Sequence, residues 1–244
     1  MPRFFMAGTN MIKGGMAVIR GRDAEHVRVL RLRPGEDIII CDAQGTDYKC
    51  RLVSSGPEEA EAEVIEVVRC PAEPSVAVTV LCALPKGDRT DYIIQKCVEA
   101  GASEIVFFLS DRCVAKPDAP EKKLERWQRI AEEAAKQSGR GIIPSVSWAG
   151  EYAEALNIAN QKELKLFLYE TGEREGLDSV LEANKTAKTV ALITGPEGGF
   201  APFEADLARI VGLHVCSMGE RILRCETAPV VAVTAVMYAT GNLS

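Results

Sequence analysis

No stretch of this 244-residue sequence stays apolar for long. Its most hydrophobic segment, Ala228 to Thr240, runs about thirteen residues, whereas a bilayer-spanning helix needs roughly twenty. The opening MPRFFMAGTN contains no apolar core of signal-peptide length. A soluble cytoplasmic protein is the expectation. Histidine is scarce, with two in the chain, and none of the eight cysteines stands in a C-x-x-C pair. That spacing excludes an ordinary structural zinc, so no metal is expected. The cysteines read instead as small buried hydrophobes kept reduced. The sequence has no G-x-G-x-x-G and no Gly-Lys-Ser/Thr loop, so neither a dinucleotide nor a nucleoside triphosphate is indicated. No Ser/His/Asp or Cys/His spacing is evident, and no internal repeat.

An excess of positive charge is also missing, since the formal net charge is −6. Its distribution is uneven. Residues 1–35 carry seven basic side chains against two acidic ones, and residues 36–70 carry three against nine. Such asymmetry either gives a small domain a basic face for a phosphate backbone or makes a solvated mixed-charge surface. On the first reading Arg3, Arg20, Arg22, His26, Arg28 and Arg31 are the candidate RNA-binding residues.

From Asp37 to Val68 short apolar runs are broken by turn residues: Ile38–Cys41, Tyr48–Val53 and Ala62–Val68, separated at Asp42–Gly45 and Ser54–Pro57. This pattern predicts a small β-barrel or sandwich. A short helix is expected over Asp23–Leu32, with Val27 and Leu30 on its apolar side and Pro34-Gly35 ending it. Pro71 and Pro74 mark a boundary near residue 72, giving domains 1–72 and 73–244. Beyond it, apolar runs at Val76–Leu84, Glu104–Leu109, Leu164–Tyr169, Val190–Thr194 and Leu213–Ser217 alternate with helical patterns. Among these are a helix stopped by Gly101, one over 120–138, and an apolar tail helix. The alternation predicts an α/β domain on a parallel sheet.

Three segments carry candidate chemistry. Thr194-Gly-Pro-Glu-Gly-Gly-Phe200 follows a strand and precedes a helix. It is either a tight turn or a loop whose glycines admit a ligand to the main chain at the strand's C-terminal end. Met218-Gly-Glu-Arg-Ile-Leu-Arg-Cys-Glu-Thr-Ala-Pro229 is again a strand-to-helix loop, with more charge than a connection needs. Gln137-Ser-Gly-Arg140 closes a helix, and Arg140 is either an anion binder or a partner for the helix dipole.

Taken together, several segments give the chain a resemblance to the RsmE family of SPOUT methyltransferases along almost its whole length. They are Met1-Pro-Arg-Phe-Phe5, His26-Val-Arg-Val-Leu-Arg31, Leu84-Pro-Lys-Gly-Asp88, Gln95-Lys96 with Glu99-Ala-Gly101, Gln137-Ser138 with Arg140, Gly195-Pro-Glu-Gly-Gly-Phe200 and Leu223-Arg-Cys-Glu-Thr-Ala228. The resemblance implies a PUA-like β-barrel for RNA, followed by an α/β domain tied in a deep trefoil knot. It implies S-adenosylmethionine as methyl donor, a homodimer, and methylation of N3 of one uridine in 16S ribosomal RNA within the small subunit. Leu168, Glu170, Thr194, Gly195, Pro196, Glu197, Gly198 and Gly199, with Met218, Gly219, Leu223, Arg224, Cys225, Glu226, Thr227 and Ala228, would line the cofactor site. For the chemistry, Arg140 or Arg224 would stabilise a uracil anion, and Glu197 or Glu226 would accept its proton. A methyltransferase acting on another RNA, or a non-catalytic RNA-binding assembly factor, are the alternatives. The tail helix is expected to be buried in its own domain or to form a two-fold seam.

Overall fold

A computed structural model of the chain describes residues 1–5, 11–114 and 121–243. They form two compact units, Met1–Glu73 with Ala135–Ile143, and Pro74–Ala134 with Pro144–Ser244.

The first unit contains β1 (Arg3–Phe5), β2 (Met11–Lys13), β3 (Met16–Arg20), α1 (Arg22–Val29), β4 (Asp37–Cys41), β5 (Thr46–Ser55) and β6 (Glu59–Arg69). The sheet order is β1-β4-β5-β6-β3-β2. Only the β1–β4 pair is parallel; the other pairs are antiparallel. Alternation along β4 and β5 sends Ile38, Ile40, Cys50 and Leu52 into a core with Phe4, Ile19 and Val27. Helix α1 ends earlier than its sequence indicated. Leu32 N–H reaches Val27 O and Arg31 N–H reaches Arg28 O, and Arg31 adopts φ +55°. These two bonds are a Schellman turn, built here without glycine. Leu30 consequently faces solvent rather than the core.

Residues 135–143 close on this unit through Gly141, whose carbonyl accepts the Gly45 N–H and the Cys41 thiol. A Cβ at Gly141 would lie 2.5 Å from Cys70 Cβ, so only glycine permits this approach.

The second unit contains β7 (Ala77–Ala83), α2 (Arg89–Glu99), β8 (Glu104–Leu109), α3 (Glu121–Ser138, its last residues belonging to the first unit), β9 (Ser145–Glu151) and α4 (Tyr152–Ala159). It continues with β10 (Leu164–Leu168), β11 (Glu175–Gly176), α5 (Leu177–Ala183), β12 (Thr189–Thr194), α6 (Pro202–Ile210), β13 (His214–Ser217) and α7 (Ala228–Ala239). Every strand pair is parallel, in the order β11-β13-β10-β12-β7-β8-β9. The predicted parallel α/β sheet is therefore present.

Helices α4 and α7 both pack on β7 and β12, which is why β7 reads as a near-continuous apolar run. Helix α2 buries Ile93, Ile94, Cys97 and Val98 and stops at Gly101, as its spacing predicts. Helix α7 also packs against α2 and buries Ala232, Val233, Val236 and Met237, while Val231 and Tyr238 remain exposed. Among the described residues no helix is long and apolar enough to cross a membrane.

The strand order positions the site. The chain runs outward through β7, β8 and β9, then returns to lay β12, β10 and β13 on the other side of β7. The loops leaving β10, β12 and β13 thus open at neighbouring C-terminal strand ends, where open α/β sheets take ligands.

Candidate active site

Those three loops enclose a cavity of about 400 Å³, within the range of small-molecule sites. Leu168 and Glu170 enter from β10. Thr194, Gly195, Pro196, Glu197 and Gly199 enter from β12, and Met218, Gly219, Leu223, Arg224, Cys225, Glu226 and Ala228 from beyond β13. All were marked by sequence. Two expected residues lie outside it. Gly198 turns its carbonyl to Arg112 Nη1 at 3.2 Å, and Thr227 faces a second hollow beside the first.

Gly195, Gly199 and Gly219 are in the lining, so main chain forms part of the wall. Gly199 is held at φ +65°, and a Cβ there would fall 2.2 Å from Glu170 Oε1. The positive φ favours glycine at this position, and a larger residue would also have to displace the Glu170 carboxylate.

Sequence reasoning missed Arg89, at the start of α2. Its guanidinium pairs with Glu197 and lies 3.5 Å from Glu226 Oε2. Glu197 also accepts the Lys86 N–H at 2.8 Å. Burial raises the Glu197 pKa, but the Lys86 N–H and Arg89 outweigh it and the net shift is downward. Glu226 is likewise opposed by burial yet lowered, by its own backbone N–H, the Cys225 thiol, Arg89 and Arg224. Both carboxylates are therefore anions at neutral pH, and weak proton acceptors. Cys225 donates to Glu226 Oε2 at 3.2 Å, and burial pushes its thiol up to about 12. It is no nucleophile. The signal that could have found Arg89 is the pairing of β7 with β12, which sets the loops after these strands side by side.

Arg140 does not line the cavity. It belongs to the first unit and is 3% exposed, and Glu73 holds its Nη2 at 2.9 Å and its Nε at 3.3 Å. Of the basic residues expected to face RNA, Arg3 is turned inward, bidentate on Asp47 at 2.5 and 2.8 Å. Arg20 pairs with Glu59 across the β3–β6 register at 3.2 Å. Arg22, His26, Arg28 and Arg31 are exposed on α1 and its closing turn.

Residues 72–237 match the RNA methyltransferase domain, and residues 19–65 match the RNA methyltransferase PUA domain. Fold and site together thus define an RNA methyltransferase carrying a PUA domain. Ribosomal RNA small subunit methyltransferase E of Bacillus subtilis (strain 168) is 34% identical over 234 residues, 92% of this chain and 91% of its own. The crystal structure of ribosomal RNA small subunit methyltransferase E from Neisseria gonorrhoeae, bound to S-adenosyl methionine, superposes with a TM-score of 0.86. It has 32% identity and covers 98% of this chain and 97% of that one. A Legionella pneumophila protein, solved in complex with the cofactor SAM, gives 0.82 at 26% identity over 97% of each chain. The chain belongs to the ribosomal RNA small subunit methyltransferase E family.

Proposed function

We propose that this chain transfers the methyl group of S-adenosylmethionine to N3 of one uridine in 16S ribosomal RNA, with the small ribosomal subunit as substrate. The observation carrying this reading is the convergence of the loops after β10, β12 and β13 on one glycine-walled cavity, in a chain whose Neisseria relative binds that cofactor. The residues present fit such a ligand. Gly195, Gly199 and Gly219 bring main chain to the cavity wall, and Leu168, Ile222 and Leu223 supply apolar surface for a planar ring.

The bound cofactor supplies an electrophilic methyl carbon on a sulfonium. Uracil N3 forms its bond to that carbon as the carbon–sulfur bond breaks, and the N3 proton leaves to a carboxylate or to water. Glu197 and Glu226 are the nearby carboxylates, but both are held below the usual carboxylate range. The rate therefore rests on stabilising the uracil anion. Arg224, in the cavity wall, is the guanidinium we assign to a uracil oxygen. Arg140, clasped by Glu73, receives a structural role instead.

We assign residues 1–72 to RNA binding, through the exposed Arg22, His26, Arg28 and Arg31, and residues 73–244 to methyl transfer. The strand order, with β13 beyond β10, supports the trefoil threading of that domain. The exposed Val231 and Tyr238 on α7 support a homodimer, and light scattering at micromolar concentration is expected to give twice the monomer mass. The enzyme is assigned to the cytoplasm.

The test is tritium transfer from labelled S-adenosylmethionine to small subunits lacking the modification, followed by nucleoside analysis. Label in 3-methyluridine is expected. Label in another nucleoside would overturn the base assignment, and absence of cofactor binding would overturn the activity.

A further inference from the structure

The side chains of the segment Leu84–Asp88 do not line the cofactor cavity, although the Lys86 N–H holds Glu197. Lys86, Gly87 and Asp88, with Arg89, Tyr92, Glu226 and Thr227, line a second hollow of about 740 Å³, more open than the first. The two hollows share Arg89 and Glu226. The Arg89–Glu226 contact at 3.5 Å is therefore a common wall rather than the floor of either.

Methyl transfer between two bound molecules requires two adjoining sites that meet at the reacting atoms, aligned so that the step becomes effectively unimolecular. The glycine-walled cavity suits the compact donor. Its neighbour has a different chemistry. Tyr92, on the first turn of α2, is 48% exposed although large and aromatic. Lys86 and Arg89 put two cations in the same lining, Arg89 being paired with Glu197 and Glu226. An exposed ring flanked by cations is the arrangement that holds an unpaired nucleotide, by stacking its base and pairing its phosphate. A folded peptide would find little apolar surface here, since Tyr92 is the one large apolar side chain in the lining. The Asp88 carboxylate on the same rim repels phosphate, which leaves the Lys86 and Arg89 side as the route for the backbone.

We infer that this hollow is the target-base pocket: an unpaired uridine stacks on Tyr92, its phosphate lies toward Lys86, and its Watson–Crick edge turns to Arg89 at the wall shared with the cofactor. In a duplex that edge is occupied by pairing, so the base must be unpaired or extruded. The inference rests on the proposed activity, because it names where the acceptor of that reaction sits. Arg89 then serves both sides of the wall, holding Glu197 and Glu226 while presenting charge to the uracil.

The test uses the full-length protein, undermethylated small subunits and S-adenosylhomocysteine. Tyr92→Ala is expected to raise KM for the subunits about tenfold, from loss of base stacking. Tyr92→Phe recovers most of that loss, and the Kd for S-adenosylhomocysteine stays within about twofold in both. An unchanged KM and kcat in Tyr92→Ala would overturn the inference. So would a parallel loss of S-adenosylhomocysteine affinity, which would make the hollow part of the cofactor site. A second measurement does not depend on turnover. Ribosomal RNA fragments carrying 5-iodouridine at the target position are crosslinked by light and the adduct is mapped by mass spectrometry. An adduct on Tyr92 supports the pocket even if the methylated atom proves to be different. Adducts confined to α1, or no adduct, would sink it even if wild-type methylation of uridine to 3-methyluridine is intact.

Discussion

Glu73 clasps Arg140 across 67 positions of sequence, and the same carboxylate accepts the N–H groups of Gly141 and Ile142 at 2.7 and 2.9 Å. The side chains are 7% and 3% exposed. Removing one partner of a buried pair leaves an uncompensated charge, typically at a cost of about 3–5 kcal/mol. Glu73→Ala is expected to lose that much in urea unfolding. Replacing both partners together, as Glu73→Leu with Arg140→Met, is expected to recover the part due to the unpaired charge, but not the part due to the Gly141 and Ile142 N–H groups, which lose their acceptor. A loss below about 1 kcal/mol for Glu73→Ala would mean that the clasp does not hold residues 135–143 in place.

The same reasoning separates the two arginines marked by sequence. Arg224 is exposed in the cavity wall, so Arg224→Ala is expected to leave the melting temperature nearly unchanged while kcat falls about 10²-fold or more, as when an anion-stabilising donor is removed. Arg140→Ala is expected to do the reverse, losing stability first. Equal kcat for wild type and Arg224→Ala, in folded enzyme, would remove Arg224 from the mechanism.

Gly199 offers a sharper probe of the cavity. An alanine there meets both φ +65° and an oxygen of Glu170 at 2.2 Å. The backbone penalty alone is about 1–2 kcal/mol, and Glu170 must also move. Gly199→Ala is expected to weaken S-adenosylhomocysteine binding at least tenfold by calorimetry. Gly212→Ala, at φ +82° on the far side of α6, has its Cβ 3.6 Å from Lys165 Nζ; it is expected to cost stability while leaving that affinity unchanged. If the two variants bind alike, the loop after β12 is not part of the site.

What sequence made legible was whatever a single segment declares by itself. Helix α2 announces its apolar face and its Gly101 stop, and the interior strands β7, β8, β10 and β12 announce themselves as apolar runs. The loops after β12 and β13 were equally plain from their glycine and charge. Edge strands were not. In β9, Ser145–Glu151, Val146 is the one buried residue, and β11 is two residues long, so neither carries a run or an alternation. Pairings across the chain were also hidden. Arg3 looks like surface charge until Asp47 is brought to it by β5, and Arg140 looks like an anion binder until Glu73 is found beside it. Arg89 stayed unseen because the order of strands, and not any local pattern, sets β7 against β12.

The eight cysteines give a prediction about alkaline pH. All are buried free thiols. Burial pushes Cys41 and Cys50 up to about 11, and Cys82 and Cys216 up to about 12, from an ordinary 9.0. A folded-state pKa above the unfolded value means that the unfolded chain loses its thiol protons first as pH rises. The stability these thiols contribute is thus fully present below about pH 9 and is lost between pH 9 and 11–12. Each thiol can take up to about 1.4 kcal/mol per pH unit within that window. Urea midpoints measured in reductant are expected to be flat from pH 7 to 8.5 and to fall steeply above pH 9. Cys50→Ala should flatten the alkaline slope by one thiol's share. Ellman's reagent at pH 8 should find almost no reactive thiol until the chain is unfolded, and then all eight. Two or more thiols reacting in the native state, or a midpoint unchanged to pH 10.5, would show that these side chains reach solvent and that their burial is not what keeps them inert.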